Sequence, residues 1–190
     1  MLCLTRLAAA TTLALIVAAC ASTPPTHHNV DSSVDFAAFR TFDYFDRLAT
    51  DEPEYQSLIS NFLMVAVSQE MDKRGFEHTE QDPDLRINFY IHTKDKIKTR
   101  TVPTGGAYYG WRDPFYDPWV GYGGYQTRVD QYQEGTLNID VVDASTNKLV
   151  WEGSITGRVT DKTLRNLEEN IDEAVALIMA NFPVTAGGSQ

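Results

Sequence analysis

Leu85-Arg86-Ile87-Asn88-Phe89-Tyr90-Ile91-His92 alternates without a break. Leu85, Ile87, Phe89 and Ile91 point one way, and Arg86, Asn88, Tyr90 and His92 point the other. A period of two belongs to a strand with one face buried and the other wet. Asp82-Pro83-Asp84 is the turn that starts it, and the strand is expected to run on through the charged stretch Lys94–Val102. A second alternating run places Leu137, Ile139 and Val141 inward. Asp143–Lys148 makes a turn, and Leu149, Trp151 and Ile155 carry the next strand.

Outside these runs the period changes. Arg40–Phe45 reads as a first strand with Phe42 and Tyr44 on one face. Asp51-Glu52-Pro53-Glu54 has the chemistry of a helix start, a carboxylate cap followed by proline in the first turn. The helix it opens carries Tyr55, Leu58, Ile59, Phe62, Leu63, Ala66 and Met71 on one stripe, and Gly75 turns the chain away. A second helical stripe holds Leu164, Leu167, Ile171, Val175, Ile178 and Phe182 and stops at Pro183. Two amphipathic helices require an apolar sheet face to cover. The expected fold is therefore α+β: a two-layer sandwich, a mostly antiparallel sheet with two helices packed on one face.

The stretches Lys94–Val102 and Thr127–Thr136 can pair as a long hairpin. Between them lies the most distinctive segment, Gly105–Tyr125. It sets Tyr108, Tyr109, Trp111, Phe115, Tyr116, Trp119, Tyr122 and Tyr125 among six glycines and two prolines. Flat apolar rings with polar tips suit gripping a partner, stacking on sugars or touching a membrane interface. Folding back into the core is the competing use of the same rings. Most loops span about 4–6 residues, and longer ones without regular structure tend to be functional or disordered.

The amino terminus carries an address. Leu7–Ala18 is an uncharged apolar run with Arg6 before it, too short to span a bilayer and suited to a signal-peptide core. Val17-Ala18-Ala19-Cys20 resembles the lipobox of bacterial lipoproteins. That resemblance implies removal of residues 1–19 and acylation of Cys20, with palmitate as a third chain. Ala21 is not an aspartate, which by the same resemblance implies sorting to the periplasmic face of the outer membrane. Residues 20–33, rich in Ser, Thr and Pro, read as a flexible tether, with a single domain over 34–184 and a disordered tail over 185–190.

Composition narrows the function classes. Cys3 leaves with the signal and Cys20 is lipidated, so the folded part has no disulfide, thiolate metal site or cysteine nucleophile. The mature chain keeps 15 basic against 26 acidic residues, a net charge of −11. Nucleic-acid binding depends on the opposite balance. His27 and His28 sit together in the tether while His78 and His92 are isolated, so no metal site is expected. The carboxylate pairs Asp82/Asp84, Asp113/Asp117 and Asp140/Asp143 flank turns or prolines, where aspartate caps backbone amides. No Gly-x-Ser-x-Gly elbow, His-Glu-x-x-His helix or phosphate-cradling loop is present. No catalytic residue and no cofactor is expected.

Several pieces together resemble a family of small bacterial lipoproteins carrying domain of unknown function 4136. They are Phe39-Arg40-Thr41-Phe42, Gly75-Phe76, Pro83-Asp84-Leu85, Tyr132 with Gly135-Thr136-Leu137, the run from Asp143 through Thr146 to Leu149-Val150-Trp151 and Gly153, and Asn181-Phe182-Pro183. The resemblance implies no activity, cofactor or catalytic residue. The combined expectation is a non-catalytic envelope protein held to the bilayer by acylated Cys20. It would bind an envelope protein through the aromatic segment, with glycan or small-ligand binding as the alternative and hydrolysis a weaker one. Intact-mass measurement of the mature protein should find acyl chains on Cys20 and nothing before it. Cys20→Ser should accumulate as full-length precursor, and an unlipidated wild-type chain starting elsewhere would overturn the assignment.

Overall fold

The computed structural model describes residues 24–103 and 125–187. Six strands form one sheet: β1 (Thr26–Val30), β2 (Thr41–Tyr44), β3 (Glu77–His78), β4 (Leu85–Pro103), β5 (Tyr125–Asp143) and β6 (Lys148–Val159). Their spatial order is β1-β6-β5-β4-β2-β3. The β4–β5–β6 meander and β1 are antiparallel, whereas β2 runs parallel to both β3 and β4. Parallel neighbours need a crossover, and helix α1 (Leu58–Asp72) supplies the one between β2 and β3. The short α2 (Asp161–Arg165) leads into α3 (Leu167–Met179). The chain is thus α+β, with the expected alternation made real: Leu85, Ile87, Phe89, Ile139 and Val141 are wholly buried.

Helix and sheet meet most closely at Trp151. Its ring packs edge-on to Phe182 at 5.2 Å, and Phe182 in turn touches Phe36 at 5.7 Å and Phe76 at 6.0 Å. Gly153, two residues on and facing the same way, makes this possible. A Cβ there would overlap the Trp151 ring and sit 2.5 Å from Ile178 Cγ2. At the same end of the helix layer, buried Arg74 of the α1 terminus donates to the Met179 carbonyl at 2.7 Å and to Glu70 at 2.6 Å. A guanidinium placed on α3's last carbonyls complements its dipole and ties the two helices together.

Several expectations are corrected. Asp51 does not cap a helix: its two oxygens accept from Leu48 and Ser57 amides, and Ser57 caps instead by accepting from Ser60 N at 3.0 Å. Tyr55 therefore lies before the helix and Leu58 opens it, and both are exposed. Leu164 is also exposed, because Asn166 breaks the last stripe into two helices. Leu149 is half out of the core. A register shift opposite Val141/Val142 inserts one extra residue, so Val150 and Trp151 are both buried.

The tether expected over 20–33 is overturned for its second half. Thr26–Val30 pairs with β6 from Ile155 to Trp151 as an edge strand, so the domain starts before Val34. The entropy lost in ordering this strand is offset by pairing with the row of amides and carbonyls along the edge of β6. At the other end, Gly187 donates its amide to the Lys73 carbonyl at 3.0 Å with φ +74°, which ties down residues 185–187 of the expected disordered tail. Residues 188–190 lie outside the described residues.

Trp151→Ala should cost about 3–5 kcal/mol in urea unfolding, the usual loss for emptying a large aromatic site. Gly153→Ala should cost about 1–3 kcal/mol through overpacking. An unfolding curve for Gly153→Ala that overlays the wild type would mean α3 does not lie this close to the sheet.

Candidate functional site

Three surfaces could act on something outside the domain. The first is a ribbon. β4 and β5 pair in register from Leu85↔Asp143 to Pro103↔Tyr125. β6 stops at Val159, opposite Gln133. From Lys96↔Tyr132 onward β4 and β5 pair only with each other, a projection of about 25 Å at the rise of an antiparallel strand. Its two faces differ. Ile97, Thr99, Thr101 and Val129 lie on the face continuous with the core side. Lys96, Lys98, Arg100 and Arg128 lie on the other, relieved by Asp130. A chain of net charge −10 thus gathers cations on one side of one ribbon. Lys96 pairs with Glu134 at 3.2 Å, and the Arg158 guanidinium lies 3.8 Å above the Tyr132 ring, bracing the ribbon where β6 ends.

The expected binding residues Tyr108, Tyr109, Trp111, Phe115, Tyr116, Trp119 and Tyr122 lie outside the described residues, as does Cys20. Of Tyr125 the backbone is described, closing the last ribbon pair. The chain between Pro103 and Tyr125 therefore starts and finishes at the ribbon's end.

The second surface is an apolar groove of about 410 Å³ between the helix layer and the sheet, near the ribbon's base. Its floor continues the inward face with Ile91, Leu137 and Ile155, and its roof includes Leu63, Leu167 and Ile171. Gly135 and Gly157 face each other across β5 and β6 and both line the groove. The two differ in the space they leave, because Val159 Cγ2 lies 3.0 Å from where a Cβ of Gly135 would be. Nothing lies within 4 Å of a Cβ built at Gly157. Pro24 is also part of the lining, brought there by β1 and by the hydrogen bond from Thr156 N to the Pro25 carbonyl at 3.3 Å.

The third surface is the sheet face turned away from the helices. Asp140 and Glu152 stand directly opposite on β5 and β6, and Asn29 of β1 donates to Glu152 at 2.6 Å. Burial first, and then the Glu152 charge, push the Asp140 carboxyl up. This pair joins neighbouring strands, where the sequence suggested Asp140 with Asp143. The other paired carboxylates serve the backbone. Asp84 accepts from Arg40 N at 2.7 Å and Thr41 N at 3.0 Å, clamping the start of β2 to β4. Burial raises its pKa, but these amides outweigh it and hold the carboxyl low. Asp143 accepts from the Ser145 hydroxyl and amide and is held low by that turn. Asp113 and Asp117 lie outside the described residues.

His27 and His28, expected in the tether, lie on β1 opposite Ser154 and Gly153. His78 meets Asp43 at 3.0 Å on an exposed edge. Among the described residues no group of three or more His, Cys, Asp or Glu could hold a metal ion, and no helix is long and apolar enough to cross a membrane.

Geometry of this kind defines a class: small α+β domains whose sheet extends into a free ribbon beside an open apolar groove. Within it, the chain belongs to the family described as Domain of unknown function (DUF4136), whose model matches residues 26–184. No curated protein matches the chain. Among solved structures, a PDZ domain protein from Parabacteroides distasonis is 16% identical with a TM-score of 0.55 over 85% of this chain and 36% of that one. The chain thus spans about a third of that protein, and the likeness is one of fold. The PelC dodecamer from Paraburkholderia phytofirmans is 10% identical with a TM-score of 0.45, over 83% of this chain and 96% of that one. That likeness is too distant to argue from.

Two carboxylates directly opposite on paired strands repel, and the pair is destabilising. A carboxyl with a raised pKa in the folded state gives its full stability below the unfolded pKa and loses it as pH rises through the folded value. Asp140→Asn should therefore raise the Tm at pH 7 and leave it unchanged near pH 3. A gain equal at both pH values would show that charge is not the cause.

Proposed function

We propose that this protein is a lipid-anchored component of the bacterial cell envelope that works by binding, without catalysis, through the β4–β5 ribbon and the aromatic segment joined to its end. The observation that carries this reading is the in-register pairing down to Pro103↔Tyr125. A ribbon of this length is supported at its base and reaches away from the core, so it adds nothing to the packing of the domain. Two-stranded ribbons are marginal on their own, and a surface that costs stability is kept for contact. A face with Ile97 and Val129 among threonines, beside a cationic one, suits a protein partner that offers both apolar and acidic groups.

Further support comes from the acidic side chains. Asp84 and Asp143 are occupied by backbone amides, and Asp140 and Glu152 stand shoulder to shoulder on an open sheet face. None of these is arranged as an acid and a base across a substrate. The lipid anchor rests on the lipobox at Cys20, and the outer-membrane, periplasm-facing location rests on Ala21. Glycan recognition remains a use of the same rings.

Replacing residues 104–124 by a short Gly-Ser turn should leave a folded, anchored protein with a Tm within a few degrees of the wild type, consistent with surface changes of less than about 0.5 kcal/mol. Crosslinking in intact cells should then lose its major product. If the shortened protein unfolds, the aromatics belong to the core. If it keeps every partner, the ribbon's end is not the contact surface.

A further inference from the structure

From the groove and the place where the chain enters it, we infer that the apolar groove at the ribbon's base receives one acyl chain carried by Cys20 of the same molecule when the protein is off the membrane. The inference rests on the lipoprotein reading and goes beyond it. Three observations carry it.

The groove is built, not incidental. It is a hollow of about 410 Å³, within the range of about 300–1,000 Å³ that small-molecule sites occupy. Gly157 keeps its floor low at a position where strand alternation would otherwise place a core side chain, while the Val159 side chain lies over Gly135 opposite it. Ile91 on the floor and Leu164 near the rim remain 40% and 60% exposed, so apolar surface is left for a hydrocarbon to cover.

The amino-terminal chain arrives at this place. Pro24 lines the groove, and β1 fixes it there by pairing Thr26 with Ile155, which forms part of the same floor. Cys20 is four residues before Pro24, a reach of about 14 Å at most. A hydrocarbon chain attached at that distance is held at high local concentration beside the opening.

The chemistry of the lining also fits. Leu63, Leu167, Ile171 and Leu177 offer no charge to a hydrocarbon, and the charged Arg158 and Glu173 are the exceptions in a largely apolar lining. An acyl chain covered by such a lining is taken out of water, which favours it over the solvated state. With a membrane present the chain inserts; without one, the groove is its alternative to water.

The test uses the mature lipidated protein, made in cells fed an alkyne-tagged fatty acid and held in water below the detergent's micelle threshold. A benzophenone amino acid is placed at Ala174, which lines the groove, or at exposed Ala176 on the same helix. Irradiation should join Ala174, and not Ala176, to the tagged chain within one molecule. Gly157→Leu extends a side chain into the floor from a position where a Cβ meets nothing within 4 Å, and should lower that product about tenfold or more while the Tm holds, as expected when a side chain occupies an apolar site. Equal labelling from both positions, labelling only between molecules, or a product insensitive to Gly157→Leu would overturn the inference with acylation intact. A mass measurement showing no acyl chain on Cys20 would overturn the lipoprotein reading and the inference with it.

Discussion

The fold depends on how closely α3 can approach β6. Trp151 fills the space between them only because Gly153 has no side chain, and Ile178 rests where a Cβ would be. Phe182 then closes over the Trp151 ring and gathers Phe36 and Phe76 from the first half of the sequence. Without that approach the helix layer would ride too high. Arg74 could not reach the Met179 carbonyl, and the buried faces of β4 and β5 would lose their cover. A domain with no disulfide has to obtain its order from such fitted contacts, because shape complementarity supplies the last few kcal/mol of stability.

The residues that carry the family resemblance acquire meaning against this background. Asp84 clamps Arg40 and Thr41 onto β4. Gly75, at φ +82°, lets the chain leave α1. Asp143 and Thr146 form the β5–β6 turn, and Trp151, Gly153 and Phe182 make the helix–sheet junction. Gly135, Thr136 and Leu137 line the groove, and Tyr132 lies at the base of the ribbon. Most of the residues that carry the resemblance are thus contacts of the fold. The surfaces with room to act are the ribbon and the groove. A shared fold leaves function to such surfaces.

Much of the architecture could be read from side-chain periodicity. Leu85 through Ile91 and Leu137 through Val141 alternate as a half-buried strand must, and the hairpin followed from their flanks. What periodicity misses is position in three dimensions. Thr26–Val30 has no apolar pattern, because an edge strand is held by backbone bonds to β6 and needs none. The shift at Val141/Val142 moves Leu149 outward by one residue, a change invisible to counting. Ser57 outcompetes Asp51 as a helix cap because Asp51 is already engaged with loop amides. The groove left a faint trace: Gly135 and Gly157 both fall at inward positions of strands where apolar side chains are expected. Pairing them required the register of β5 on β6.

The edge strand β1 also bears on how load enters the domain. Any tension arriving through the residues before Pro24 reaches the sheet along β1, whose five residues pair with β6 from Ile155 to Trp151. A pull along the strand axis stresses those hydrogen bonds together, in shear. A pull normal to the sheet peels them one after another, beginning at Thr26. The same attachment would thus be mechanically stiff in one direction and compliant in another, and β6 would pass the load to Trp151, the largest of the fully buried side chains among the described residues.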